Sequence, residues 1–178
     1  MVNIVIINGL GGCGKSTFAE MCTKYCNENK RAIVAELSTV DYVKIVARLC
    51  GWDGSKSEKD RIFLSDLKKA FAKWNNIPIK YVFDQINDII SKEKTKKNYL
   101  FFVNSREPDD IKEIIELAKL KGYKALTVKL ERPNQNVNEV PELINDIVNM
   151  KADHTIVNSG ELQDLQNKAI SFVENLIH

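Results

Sequence analysis

No apolar run in the chain approaches the roughly 18 residues that a membrane span needs. A membrane-embedded helix is therefore not expected. An excess of one charge sign is also lacking. Lys and Arg number 26 against 24 Asp and Glu, which leaves a net charge of +2. A nucleic-acid footprint is usually more basic and more clustered, and no basic stripe with interleaved aromatics appears. Histidines are scarce, only His154 and His178. The four cysteines, Cys13, Cys22, Cys26 and Cys50, form no CxxC pair, so spacing argues against a structural zinc. They read as reduced thiols of a cytoplasmic protein. The opening Met1-Val-Asn-Ile-Val-Ile-Ile has no basic flank and no cleavage site, and reads as a strand rather than a signal peptide.

Strand and helix patterns alternate along the chain. Val2–Asn8 is a continuous apolar run, as in a buried parallel strand. Further strands are expected at Ala32–Leu37, Tyr99–Val103, Tyr123–Leu130 and His154–Val157. Helices are expected over Lys15–Asn29, Val40–Leu49, from Ser57 to about Trp74, Tyr81–Ser91, Glu107–Lys121 and Glu161–Leu176. Ser57-Glu-Lys-Asp60 has the form of a capping box, and Asn75-Asn76-Ile77-Pro78 breaks the helix that follows it. Phe63, Leu64, Leu67, Ala70, Phe71 and Trp74 recur at helical spacing and read as a core stripe. The polar, asparagine-rich Pro133–Asn149 reads as a mobile excursion. At 178 residues a single domain is expected. Alternation of this kind implies a parallel sheet covered on both faces, with ligands at the carboxyl ends of its strands. Gly9, Ser38, Asn104 to Arg106, Arg132 and Asn158 all follow strands, so they should gather on that edge.

One segment carries strong chemistry. Gly9-Leu-Gly-Gly-Cys-Gly-Lys-Ser16 matches G-x-x-x-x-G-K-[ST], between a strand and a helix. Gly9, Gly11, Gly12 and Gly14 let the backbone bend so that successive N–H groups point at phosphate oxygens. Lys15 brings a cation to the β- and γ-phosphates. The Ser16 hydroxyl suits magnesium, and Thr17 sits in the first turn of a helix whose positive end faces the anion. Cys13 reads as a spacer within the loop, the alternative being a thiol acidified by the surrounding N–H groups. The expected ligands are ATP and Mg2+.

No D-x-x-G follows a strand in the right place, nor does N/T-K-x-D, so a switch GTPase is not indicated. A compact chain suits a small-molecule kinase better. Tyr99-Leu-Phe-Phe-Val-Asn-Ser-Arg-Glu-Pro108, Lys121–Pro133 and Ala152–Leu162, together with the loop at Gly9, resemble the P-loop nucleotide kinases. The likeness is greatest to the phage-type deoxynucleoside monophosphate kinases, with dephospho-CoA kinase as neighbour. The resemblance implies a three-layer α/β/α fold with five parallel strands in the order 2-3-1-4-5. It implies transfer of the γ-phosphoryl of ATP to an acceptor phosphate, with a lid over about 131–150 carrying Arg132. It also places Asn158, Ser159 and Gly160 beside the adenine. Phosphoryl transfer is mostly positioning and charge neutralisation, so Lys15, Arg106 and Arg132 are the catalytic candidates. For Arg106 the alternative is a salt bridge with Glu107 or Asp109.

The acceptor is expected between the second and third strands, over about 38–97. Ser38, Asp41, Lys44, Arg61 and Arg106 are its candidate ligands. Asp41 either orients the acceptor or caps a helix, and Arg61 either meets a phosphate or pairs with Glu58. Trp52 either stacks on a base or, as favoured, packs against the helical insertion. Strand three ends in Asn104-Ser105 rather than an aspartate, and no Asp-Gly-x-Pro-Arg follows it. Glu36, Asp41 and Glu107 are the candidates for a magnesium carboxylate. The partner is thus a small phosphate acceptor, a nucleoside monophosphate first and dephospho-CoA second. A non-catalytic ATP-binding module is the alternative, and either a monomer or a homodimer is compatible.

Overall fold

The computed structural model describes residues 1–93, 97–133 and 149–177. Five strands form one sheet in the order β2-β3-β1-β4-β5. They are β1 (Val2–Asn8), β2 (Ile33–Ser38), β3 (Tyr99–Asn104), β4 (Lys124–Glu131) and β5 (His154–Val157). The described helices are α1 (Lys15–Glu28), α2 (Asp41–Leu49), α3 (Glu58–Asn75), α4 (Ile77–Lys92), α5 (Pro108–Leu120) and α6 (Leu162–Leu176). A parallel sheet with helices between its strands is what the alternation of patterns implies, and the three-layer P-loop NTPase architecture with this strand order is the one that the resemblance implies.

The chain packs as two compact units. One comprises residues 1–36 and 95–178, the other residues 37–94. In the first unit β1 is the central strand, parallel to β3 on one side and to β4 on the other. Its residues are buried on both faces, which is why it reads as an unbroken apolar run. Val5 and Ile7 face the same cluster as Leu100, Phe102, Val128 and Leu130. The helical side of that cluster comes from Phe18 on α1 and Phe172 on α6, whose rings lie 5.6 Å apart. Phe18 also meets Phe102 edge-on at 6.3 Å. The alternate residues Ile4, Ile6, Phe101 and Val103 are equally buried, and α5 packs against β4. Parallel pairing thus sends β1, β3, β4 and β5 out at one edge, with Ile7 opposite Asn104 and Asn8 opposite Lys129.

The second unit is the helical insertion α2–α4. The Tyr42 ring lies 5.6 Å from Phe71 and 5.3 Å from Tyr81, which ties the three helices together. Ser57 and Asp60 form the capping box at the start of α3. The break before α4 is narrower than expected. Asn76 alone is left-handed (φ +51°), and it both ends α3 and starts α4, with Pro78 in the first turn. Asparagine tolerates that conformation at a helix end, and proline costs nothing where no intrahelical N–H bond is made.

The α3 stripe departs from expectation. Phe63, Ala70 and Trp74 are exposed, while Leu64, Leu67 and Phe71 are half-buried. Apolar residues wrap more than one side of this helix, and only the side carrying Phe71 turns toward Tyr42. The segment expected to be a lid lies largely outside the described residues.

Candidate functional site

The phosphate-loop segment has the backbone its glycines require. Gly9 (φ +142°), Gly12 (φ +81°) and Gly14 (φ +104°) occupy conformations that side chains disfavour. At Gly9 a Cβ would run into the Leu130 carbonyl oxygen and lie 2.7 Å from the Cys13 Sγ. At Gly14 it would lie 2.6 Å from the Asn158 Nδ2. The loop is held from three directions. The Asn8 side-chain oxygen accepts from the Gly9 N–H at 2.6 Å. The Cys13 N–H donates to the Leu10 carbonyl at 3.3 Å. The Asn158 side chain, just past β5, donates to the Cys13 carbonyl at 3.0 Å.

Helix α1 starts directly from this loop. Gly14 sits at its N-cap, no side chain caps the first turn, and no acidic residue lies there. The first N–H groups of a helix need a partner and carry a positive partial charge. Gly14 at the N-cap has no side chain to offer, and an anion suits the position. Ser16 is exposed and Thr17 half-buried in that first turn. The Lys15 Nζ donates to the carbonyls of Gly9 at 2.7 Å and Leu10 at 2.9 Å, which folds the ammonium back over the loop. Cys13 is fully buried in the apolar cluster, a packing position within the loop. These features fit a polyphosphate: a glycine backbone that leaves room, a helix start without a cap, a cation and an exposed hydroxyl. Among the described residues no three His, Cys, Asp or Glu side chains form a metal cluster. Magnesium bound with phosphates and waters needs few protein ligands, and Ser16 fits that role.

The two candidate arginines leave the sheet on either side of β1. Arg106 is half-buried two residues beyond Asn104, and Arg132 is exposed just beyond β4. Because β3 and β4 both pair with β1, both arginines follow strands adjacent to the loop. Asn104 donates through its Nδ2 to Glu36 Oε1 at 2.7 Å, so the end of β3 is an amide tied to a carboxylate of β2. Ser105 beside it is buried, and its hydroxyl has no partner among the described residues. Gly160 has a local explanation. Asp164 accepts from the Glu161 N–H at 3.0 Å to cap α6, and its carboxylate occupies the space a Cβ at 160 would take.

The remaining candidates belong to the helical unit. The Asp41 carboxylate accepts from the Ser38 N–H at 2.7 Å, closing the turn into α2. Burial pushes its carboxyl above the usual range, against that hydrogen bond and the nearby Lys44 charge. Asp41 is the first residue of α2, whose N-cap is Val40 with no side-chain cap, so this bond closes the turn before the helix rather than capping it. Lys44 is half-buried on α2 and Arg61 is exposed on α3. Trp52 donates through its ring N–H to the Ser55 carbonyl at 3.0 Å, with the Arg48 guanidinium 5.8 Å from the ring, so its contacts are local.

Sequence reasoning missed one pairing near β5. The Asp153 Oδ2 accepts from both the N–H and the hydroxyl of Thr127, at 2.7 and 2.8 Å. The Thr127 backbone bond, ahead of the other contacts, holds the Asp153 carboxyl below its ordinary range. An aspartate just before a strand gave no signal in the sequence, because its partner lies 26 positions away.

Comparison with known proteins places this geometry. The model of the KAP family P-loop domain matches residues 3–177. A search of curated protein sequences finds no relative of this chain. Solved structures share the fold at low identity. The APS kinase of Mycobacterium tuberculosis, in complex with AMPPNP and APS, is 13% identical with a TM-score of 0.57, covering 97% of each chain. The tunicamycin resistance protein of Deinococcus radiodurans is 13% identical with a TM-score of 0.56, covering 97% of this chain and 96% of its own. A sugar kinase from Janibacter sp. HTCC2649 is 12% identical with a TM-score of 0.50, covering 98% of this chain and 95% of its own. With a family match across nearly its whole length and a phosphate loop built as described, the chain belongs to the KAP family of P-loop domains.

Proposed function

We infer that this protein is an ATP-dependent phosphotransferase that acts on a small acceptor phosphate, a nucleoside monophosphate first. The observation that carries this reading is the loop between β1 and α1, whose glycines, bare helix start and Lys15 suit a triphosphate. On binding, the Lys15 ammonium leaves the Gly9 and Leu10 carbonyls for the β- and γ-phosphates. The loop N–H groups hold the phosphates in line, and Ser16 supplies the protein's hydroxyl to the magnesium that accompanies ATP. Magnesium, when bound, offsets charge on the phosphate oxygens. Arg106 and Arg132 offset the charge that spreads over the transferred group. Arginine suits that role because its planar fork grips phosphate with two parallel bonds. Ser38, Lys44 and Arg61 are the proposed acceptor ligands, with Asp41 shaping their turn. Asn158 and Gly160 are proposed to lie beside the adenine.

A second reading is a module that binds ATP without transferring phosphate. It is favoured by the end of β3, where Asn104 is held by Glu36 and no aspartate is present. A second acceptor class, dephospho-CoA, is compatible with the same loop chemistry. The test is ADP release with ATP and magnesium, using a panel of nucleoside monophosphates, dephospho-CoA and APS. Stimulation by one nucleoside monophosphate supports the first reading. ATP binding without stimulation by any acceptor supports the module, and no ATP binding overturns both. Lys15→Ala should cost about 100-fold or more in turnover, the range seen for a lost transition-state donor, with the melting curve unchanged. Arg106→Ala should slow transfer more than it weakens ATP binding, and an unchanged rate would remove Arg106 from the reaction.

A further inference from the structure

Part of the apolar stripe of α3 stays out of the core it was expected to join: Phe63, Ala70 and Trp74 are exposed, with the half-buried Leu67 between them. Trp74 is 82% exposed and Phe63 39% exposed, and Ala70 between them is exposed too. A large apolar side chain held in water needs a reason when several share one helix face. Phe63, Leu67, Ala70 and Trp74 fall within a band of about 60° around the helix axis, given about 3.6 residues per turn. Their spacing is four, three, four, so it reads the same in both directions, with an aromatic at each end. Such a stripe is self-complementary to an antiparallel copy of itself. Phe63 of one helix then faces Trp74 of the other, and Leu67 faces Ala70, so large and small residues alternate across the seam.

The flanking charges obey the same symmetry. Asp66, Lys69 and Lys73 lie on one flank of the stripe. A two-fold axis that makes the helices antiparallel keeps that flank on the same side in both copies. With the axis midway along the stripe, Asp66 of one copy falls between Lys69 and Lys73 of the other, about 3 Å along the axis from each at about 1.5 Å rise per residue. Two such clusters form, one from each copy. Within one chain Asp66 reaches Lys69 only at 4.0 Å, with both side chains largely in water, so the pair is open to a second partner.

We propose that the exposed face of α3 is a two-fold interface through which two copies of this chain associate, antiparallel, along Phe63, Leu67, Ala70 and Trp74. A seam made by one 18-residue helix from each copy is smaller than the roughly 1,200 Å² of a stable interface. The dimer is therefore weak and forms by mass action. The inference stands apart from the proposed reaction, since none of these four residues is assigned a part in it.

The test is sedimentation equilibrium of the full chain from micromolar to millimolar concentration. The mass should rise toward double, and Trp74→Glu should hold the chain at monomer mass. Asp66→Lys alone and the pair Lys69→Asp with Lys73→Asp alone should each weaken association about tenfold or more, the loss expected of a like-charge clash. Mixing those two variants should restore it as a heterodimer, because each then meets the opposite charge. All these positions face solvent, and circular dichroism melts verify that each variant is folded. A wild-type chain that stays monomeric throughout the range overturns the proposal. So does a dimer that Trp74→Glu leaves intact, or a charge-swapped mixture that fails to associate.

Discussion

Gly9 shows how little freedom the loop has at single positions. Its backbone is left-handed, and the Leu130 carbonyl of β4 and the Cys13 thiol close over the place of a side chain. Gly9→Ala should therefore lose about 1–3 kcal/mol of stability, the usual cost of a forced backbone conformation, together with most nucleotide affinity. Urea unfolding and calorimetric titration with ATP check the two losses. Gly12 also needs a left-handed backbone, but nothing lies within 4 Å of a Cβ there. Gly12→Ala should accordingly be milder than Gly9→Ala in the same unfolding measurement. The cysteines differ as sharply. Burial raises the Cys22 thiol far above its normal range and pushes that of Cys26 up to about 11. Both are buried, as is Cys13, while Cys50 is exposed. A thiol reagent at neutral pH should label Cys50 in the native protein, and the other three only after denaturation, as mass spectrometry of the labelled peptides would show. Rapid native labelling of Cys22 would contradict the helix packing described for α1 and α6.

Strand β5 is a short edge element, and it is fastened by side chains. Asp153 just before it binds the buried Thr127 of β4, and Lys168 of α6 donates to the Val157 carbonyl at 2.6 Å. Asp153→Ala would strand the Thr127 N–H and cost about 1–3 kcal/mol, seen as a lower urea midpoint. The sign of its pH dependence follows from the lowered carboxyl. A carboxylate with a depressed native value stabilises the fold above the unfolded value of about 3.9 and loses that contribution as pH falls through the native one. Wild type should thus lose stability below about pH 4 more steeply than Asp153→Asn. Elements of this kind differ in how far the sequence discloses them. The buried parallel strands show themselves as apolar runs, and the phosphate loop as a local motif, because both depend on neighbours in sequence. The Asp153–Thr127 clasp and the Asn158 tether depend on distant partners and leave no periodic trace. The α3 stripe misled for another reason. Helical spacing reveals that residues share a face, but not whether that face meets the core, a second chain or water. The one-residue break at Asn76 was blurred because Ile77 and Pro78 suit a helix start as well as an interruption.

Across the whole chain, ligand binding should be visible as stability. A ligand that binds only the native state adds about 2.7 kcal/mol at 100 times its dissociation constant. ATP with magnesium should therefore raise the melting temperature of the wild type, whereas Lys15→Ala should show little rise. Scanning calorimetry with and without nucleotide measures both, and an equal shift in the two proteins would place the bound nucleotide elsewhere. Among the described residues no helix is long and apolar enough to cross a membrane. The tether between Asn158 and the Cys13 carbonyl joins positions 145 residues apart. During translation the glycine segment is therefore made well over a hundred residues before this fastening can form. A ribosome-bound chain stopped before that asparagine should hold the motif but grip nucleotide poorly, and competence should appear abruptly once the asparagine and the helix after it have been made.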